Sequence, residues 1–141
     1  MPLIDQVLIV PLFIHVLLVF SVAFRMYRAR VAAYKAGEVQ LAEIALDNSK
    51  WPEKVRKLQN NLSNQFETPP LFGLVIAFAL LFGLKSWVFV VLAWLYILSR
   101  LAHSYIHTGS NYIPHRIRAF GTGLVLLLLM WVFLFVHIFL L

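Results

Sequence analysis

Four apolar runs dominate the chain, at roughly 6–25, 65–84, 86–106 and 117–141, with one long polar segment after the first and only short turns between the others. Each is close to the ~20 residues that a helix needs to cross the hydrocarbon core of a bilayer. With their polar flanks included, they predict spans at about 6–25, 60–84, 86–107 and 115–141. The fold expected is therefore all-α, an integral membrane four-helix bundle forming one domain over residues 1–141. Composition agrees: the 141 residues are 62% hydrophobic and 13% charged, which excludes an ordinary soluble domain. The first run has no basic residue ahead of it and ends at Arg25, Arg28 and Arg30, so it is read as a retained helix rather than a cleaved signal.

The net charge of +6 reports topology rather than nucleic-acid binding. Eight of the twelve Lys and Arg residues lie between Arg25 and Lys57, and Arg116 and Arg118 follow the third span, whereas only Lys85 occupies the turn between spans two and three. The positive-inside rule then makes the 26–58 and 107–116 loops cytoplasmic. That is a multi-pass topology for a bacterial inner membrane or its equivalent. No cysteine is present, so any thiol chemistry must use a thiol that the substrate brings.

Polar residues inside the spans carry the candidate chemistry, because a charge in hydrocarbon costs about 3 kcal/mol even on lenient insertion scales. Pro52 suits a first helical position, and Val55, Leu58, Leu62 and Phe66 then form an apolar stripe at helical spacing that is expected to pack against neighbouring helices. At 100° per residue, Arg56, Asn60, Asn64 and Glu67 fall within about 80° on the side opposite that stripe. In span three, Tyr96, Arg100, His103 and His107 fall within about 60° of one another. Glu67 lies 18 residues before Lys85, with Arg100 15 and His103 18 after it, so all three sit at a similar depth. Glu67 and Arg100 are expected to meet, either as an ion pair locking two helices or as a pair of ligand-binding groups.

Thr68-Pro69-Pro70 interrupts this helix, since two prolines remove main-chain donors opposite Gln65 and Phe66. A kinked long helix is favoured over a fresh start at Pro69, because 16 residues from Pro69 to Leu84 span only about 24 Å. His15 and His137 stand alone in apolar spans, His107 and His115 lie near the cytoplasmic interface, and no metal site is expected. Arg118 reads as a positive flank, whereas Arg116 would enter the same cleft as Arg100. Trp51, Trp87, Trp94 and Trp131 are read as packing or lipid-facing groups.

This arrangement resembles the MAPEG family, the membrane-associated proteins in eicosanoid and glutathione metabolism, which includes the microsomal glutathione transferases. The resemblance rests on Asn64-Gln65-Phe66-Glu67 followed by Pro70, on Arg100-Leu101-Ala102-His103, and on Pro114-His115-Arg116. It implies a homotrimer with glutathione as cosubstrate, held between subunits and opening to the cytoplasm, and with a lipophilic small molecule reaching it from the membrane lipids. Arg116 would be the catalytic residue, and Arg56, Asn60, Asn64, Glu67, Arg100, His103 and His107 would line the ligand site. In the family pattern Asn60 stands where an arginine is common, His107 and Phe120 where tyrosines are, and Ile117 where some members have a serine. Arg56, on the same seam, stands in for the first of these.

The function implied is a glutathione-dependent transferase or peroxidase acting on lipophilic electrophiles or lipid hydroperoxides. The missing hydroxyls leave a non-catalytic lipid- or anion-binding relative as the alternative. A small proton-coupled exporter using Glu67 is a third reading, disfavoured because a carboxylate beside Arg100 stays ionised.

Overall fold

The computed structural model describes residues Met1 to Leu140; the last residue of the expected fourth span, Leu141, lies outside them. The described chain is built from helices: α1 Leu3–Lys35, α2 Leu41–Ile44, α3 Glu53–Glu67, α4 Pro69–Leu81, α5 Trp87–Thr108 and α6 Ile113–Phe139, with a single 3-10 turn at Asn48–Lys50. Three of these, α1, α5 and α6, are long and apolar enough to cross a membrane. The protein is a membrane protein, and its outer surface shows why: Phe13, Leu17, Phe20, Leu128 and Phe135 are each more than half exposed, as suits a lipid-facing wall.

Two expected boundaries move. The first helix does not stop at residue 25 but continues to Lys35, so Arg25, Arg28 and Arg30 sit on a helical extension. A loop beginning at residue 26 was expected from loss of apolar character; helical hydrogen bonding continues through such a stretch because polar residues cost a helix little once it has left the bilayer. The remaining loop carries α2 and the 3-10 turn, and Trp51, Val55, Ala33 and Val39 close over one another as a small second core. The main core, around Phe72, Val75, Ile76, Phe89, Ala93 and Met130, joins α4, α5 and α6. Gly123 permits the closest approach of α6 to α5, for a Cβ there would stand 2.6 Å from Ser99 Oγ.

The second expected span is interrupted at one residue, and Asn64 and Glu67 lie on a helix, as the kinked reading expects, rather than in a loop. Helix α3 ends at Glu67 and α4 begins at Pro69, with Thr68 between them in helical conformation but making no side-chain cap. Neither Pro69 nor Pro70 has an N–H, so the carbonyls of Gln65 and Phe66 lose their helical donors. The Arg100 guanidinium enters at that level and donates to the Asn64 carbonyl, 3.1 Å away. A cation on the last carbonyls of a helix is also favoured by the helix dipole.

At another proline the gap itself is filled. Pro11 lies inside α1 and deprives the Val7 carbonyl of its donor, and the indole Nε1 of Trp94 on α5 supplies one at 3.2 Å. Trp94, read from the sequence as packing or lipid-facing, therefore has a polar task. At the other end of α1 from the basic loop, Lys85 pairs with the buried carboxylate of Asp5, tying the start of α1 to the α4–α5 turn.

Trp94→Phe keeps an aromatic side chain but removes the donor with the pyrrole half of the indole; it is expected to lower stability by about 1 kcal/mol or more in reversible detergent unfolding. In a Pro11→Ala background, which returns a main-chain donor to Val7, the same replacement should cost markedly less. An undiminished cost would mean that the indole acts by packing alone.

Candidate functional site

The buried face of α5 carries Tyr96, Arg100, His103 and His107, each at most 3% exposed. Their 4-3-4 spacing aligns them on one side of the helix, and a helix in lipid turns its polar side inward. The expected seam of α5 is thus real and lies in the protein interior. Several of its polar atoms find no protein partner: Tyr96 Oη, Arg100 Nε, His103 Nε2 and His107 Nδ1.

Helix α6 adds the second side of the site. His103 Nδ1 lies 3.2 Å from the Arg116 carbonyl; a carbonyl only accepts, so Nδ1–H donates and Nε2 keeps the lone pair. The His103 ring meets His107 at 5.5 Å and Phe120 at 5.7 Å between centroids. The Arg100 guanidinium carbon stands 5.8 Å from the Phe120 ring centre, within cation–π range. Arg116 is held by Asn111, whose Oδ1 accepts from its Nη1 at 2.8 Å. Asn111 reaches that position because it occupies the left-handed region, φ 54°, in the α5–α6 turn, a conformation that asparagine tolerates better than most residues.

These side chains border a cleft of about 210 Å³ lined by Asn64, His103, Arg116, Ile117 and Phe120. No acidic side chain lines it, and Arg100 lies behind it on the same seam. The chemistry on offer is anion binding by guanidinium groups, beside an apolar wall made by Ile117 and Phe120.

The Glu67–Arg100 pair expected from depth counting is not formed. Among the described residues the ion pairs are Lys57–Glu53 and Lys85–Asp5, while Glu67 is exposed at the end of α3. Arg100 takes the carbonyl of Asn64 and, at 3.5 Å, Gln65 Oε1. The physical reason is side-chain direction: the Asn64 carbonyl and Gln65 Oε1 are turned to the guanidinium, while the Glu67 carboxylate is exposed at the end of α3. Arg56 and Asn60 are exposed with Glu67; Arg56 Nη1 donates to the Ser49 carbonyl at 3.4 Å, and the Asn64 amide donates to the Asn60 carbonyl at 2.6 Å. The structure thus brings together Asn64, Arg100, His103, His107 and Arg116, and leaves Arg56, Asn60 and Glu67 on the outer face of α3.

Sequence reasoning missed a second polar group on the other side of Arg100. Asn61 and Gln65 are fully buried, whereas Phe66, assigned to the packed stripe, is 64% exposed. Ser104 Oγ donates to Asn61 Oδ1 at 2.9 Å, and His15 Nε2–H meets Gln65 Oε1 at 3.3 Å. His15 is therefore not alone. The signal that could have found this group is the polar i, i+4 pair Asn61 and Gln65, read as facing inward because lipid rather than water surrounds the helix. Among the described residues, no three of His, Cys, Asp and Glu are placed to hold a metal ion.

No curated protein matches the chain, and no solved structure does. The model of the MAPEG family matches residues 8–136, and so takes in the seam of α5, the break between α3 and α4, and the start of α6. With nearly every described element inside that match, this chain belongs to the MAPEG family.

Proposed function

We propose that this protein is a membrane-bound, glutathione-dependent transferase or peroxidase that acts on lipophilic electrophiles or lipid hydroperoxides. The observation that carries the reading is the cleft in which Arg116 faces His103 and Asn64, with unpartnered buried polar atoms of Arg100, His103 and His107 along the adjoining seam. Glutathione has two carboxylates, an ammonium and a thiol, and nearby positive charge favours its conversion to thiolate. Arg116 binds and orients the anionic groups, Arg100 keeps the positive potential of the seam, and His103 Nε2 accepts a hydrogen bond. The bilayer delivers the lipophilic partner along the apolar wall.

A cleft of about 210 Å³ is smaller than the roughly 300–1,000 Å³ of pockets that enclose a drug-sized ligand. That supports a site completed by a neighbouring copy, in line with the homotrimer that the family resemblance implies. In such an assembly the outer face of α3, with Arg56, Asn60 and Glu67, is available to a neighbour's site, and Glu67 receives the ammonium.

The reading is tested on purified protein in detergent by calorimetry with glutathione and by conjugation of a generic aryl halide. Heat of binding together with conjugate formation supports it; neither signal would end it. Binding without turnover favours the non-catalytic relative, which the apolar side chains of Ile117 and Phe120 in the cleft support.

Two replacements sharpen the assignment. Arg116→Ala is expected to weaken glutathione about tenfold or more, the scale of one lost charged hydrogen-bonding partner. Arg118→Ala, at an exposed position, should leave affinity within about twofold; equal losses would refute the choice between them. Glu67→Gln should lower glutathione affinity while leaving the melting temperature nearly unchanged, because the hydrogen bonds of Arg100 go to Asn64 and Gln65 rather than to this carboxylate. A large drop in melting temperature would restore the ion pair.

A further inference from the structure

Six of the eight basic residues between Arg25 and Lys57 divide by what they touch. Arg30 donates to Gln59 Oε1 at 2.9 Å and stacks over Trp51 at 5.1 Å. Arg56 is turned to the Ser49 carbonyl, and Lys57 pairs with Glu53 at 2.7 Å. Arg25, Arg28 and Lys54 have no polar partner among the described residues, and all three line one cleft of about 380 Å³. Its floor is apolar, formed by Ala29 and Leu58, and the last turn of α5 closes it at Thr108. No acidic side chain lines it.

The depth of this cleft is set by α1. Asp5, paired with Lys85, marks one membrane surface. The twenty residues from Asp5 to Arg25 rise about 30 Å along an α-helix, which is also the approximate thickness of the hydrocarbon core. Arg25 and Arg28 therefore stand at the opposite surface, at the level of lipid phosphates. Exposed Phe20, Phe24 and Tyr27 surround them on α1, and the Arg28 guanidinium lies over the Phe24 ring at 5.9 Å. Aromatic rings are enriched at that boundary.

From this placement we infer that the cleft between α1, α3 and the end of α5 binds the phosphate headgroup of an anionic phospholipid of the cytoplasmic leaflet. Arg25 and Arg28 reach it from the membrane side and Lys54 from the cytoplasmic side, while the acyl chains follow the apolar surface of α1. Basic pockets between membrane helices on this side are suited to such headgroups. The site lies apart from the Arg116 cleft and holds whether or not the protein uses glutathione.

The test is native mass spectrometry of the purified full chain titrated with phosphatidylglycerol or phosphatidylcholine, with thermal unfolding in the same detergent. The wild type should prefer phosphatidylglycerol about tenfold or more and melt higher with it. Arg25→Gln/Arg28→Gln/Lys54→Gln should lose that preference, and Lys35→Gln/Lys50→Gln/Arg118→Gln, with the same change of charge outside the cleft, should keep it. Lys54→Gln alone should lower it measurably, which carries the test if the triple variant does not purify. Equal retention of the two lipids by the wild type, or equal losses in the two triple variants, would overturn the inference. So would full stabilisation by inorganic phosphate at matched concentration, which would identify a soluble anion as the ligand.

Discussion

Main-chain carbonyls stripped of their donors by proline are the constraint around which this protein is arranged. In water a missing N–H is replaced by solvent; in hydrocarbon nothing replaces it, and each unsatisfied group costs several kcal/mol. Pro11 in α1 creates such a gap at Val7, which the Trp94 indole of α5 fills; the Pro69–Pro70 pair creates two more, at Gln65 and Phe66, next to the Asn64 carbonyl on which the Arg100 guanidinium of α5 is seated. Helix α5 is thereby fixed against α1 and α3 at two depths by directional bonds rather than by apolar contact alone, which in a bilayer holds helices together only weakly.

Arg100 consequently has two sides. One Nη2 is committed to Asn64 and Gln65, while Nε points along the seam without a protein partner. A guanidinium is suited to this division because its planar fork carries five donors and stays charged. The structural anchor keeps the charge where it is, and the remaining donor extends positive potential toward His103, His107 and the Arg116 cleft. A lysine would hold one carbonyl or face the cleft, but its single nitrogen could not be shared in the same geometry.

The sequence was most legible where helical periodicity and lipid agreed. On α5 the spacing of Tyr96, Arg100, His103 and His107 placed all four on one buried face, and burial of all four follows. On α3 the same wheel misleads, because it makes the stripe from Val55 to Phe66 the packed side, as it would be in water. Val55 and Leu58 lie outside the apolar spans and are buried, whereas at bilayer depth the rule inverts, with Phe66 facing outward and Asn61 and Gln65 facing inward. That inversion rotated the predicted site by a fraction of a turn and put Glu67 opposite Arg100. Depth counting was sound, since Arg100 does reach the Asn64–Glu67 turn, but depth cannot say which atom of that turn receives the proton. The Asp5–Lys85 bond had no periodic signal because it joins residues 80 positions apart, and the Asn111–Arg116 bond had none because Asn111 lies in the turn before α6 with φ 54°.

Positive charge near one membrane surface is commonly treated as a single topological label, yet here it separates into distinct physical roles. Arg30 fastens α1 to α3 and Trp51, Arg100 binds the last turn of α3, and Arg116 is aimed into a cleft by Asn111. Arg25, Arg28 and Lys54 face a recess with nothing of the protein to bind. Retaining the last group without a partner is costly only if it is desolvated, and at the headgroup level it is not, because lipid phosphates supply the counter-charge. The two surfaces of the protein are therefore anchored differently: by an internal ion pair at Asp5 and Lys85, and by cations directed outward to the leaflet on the basic side.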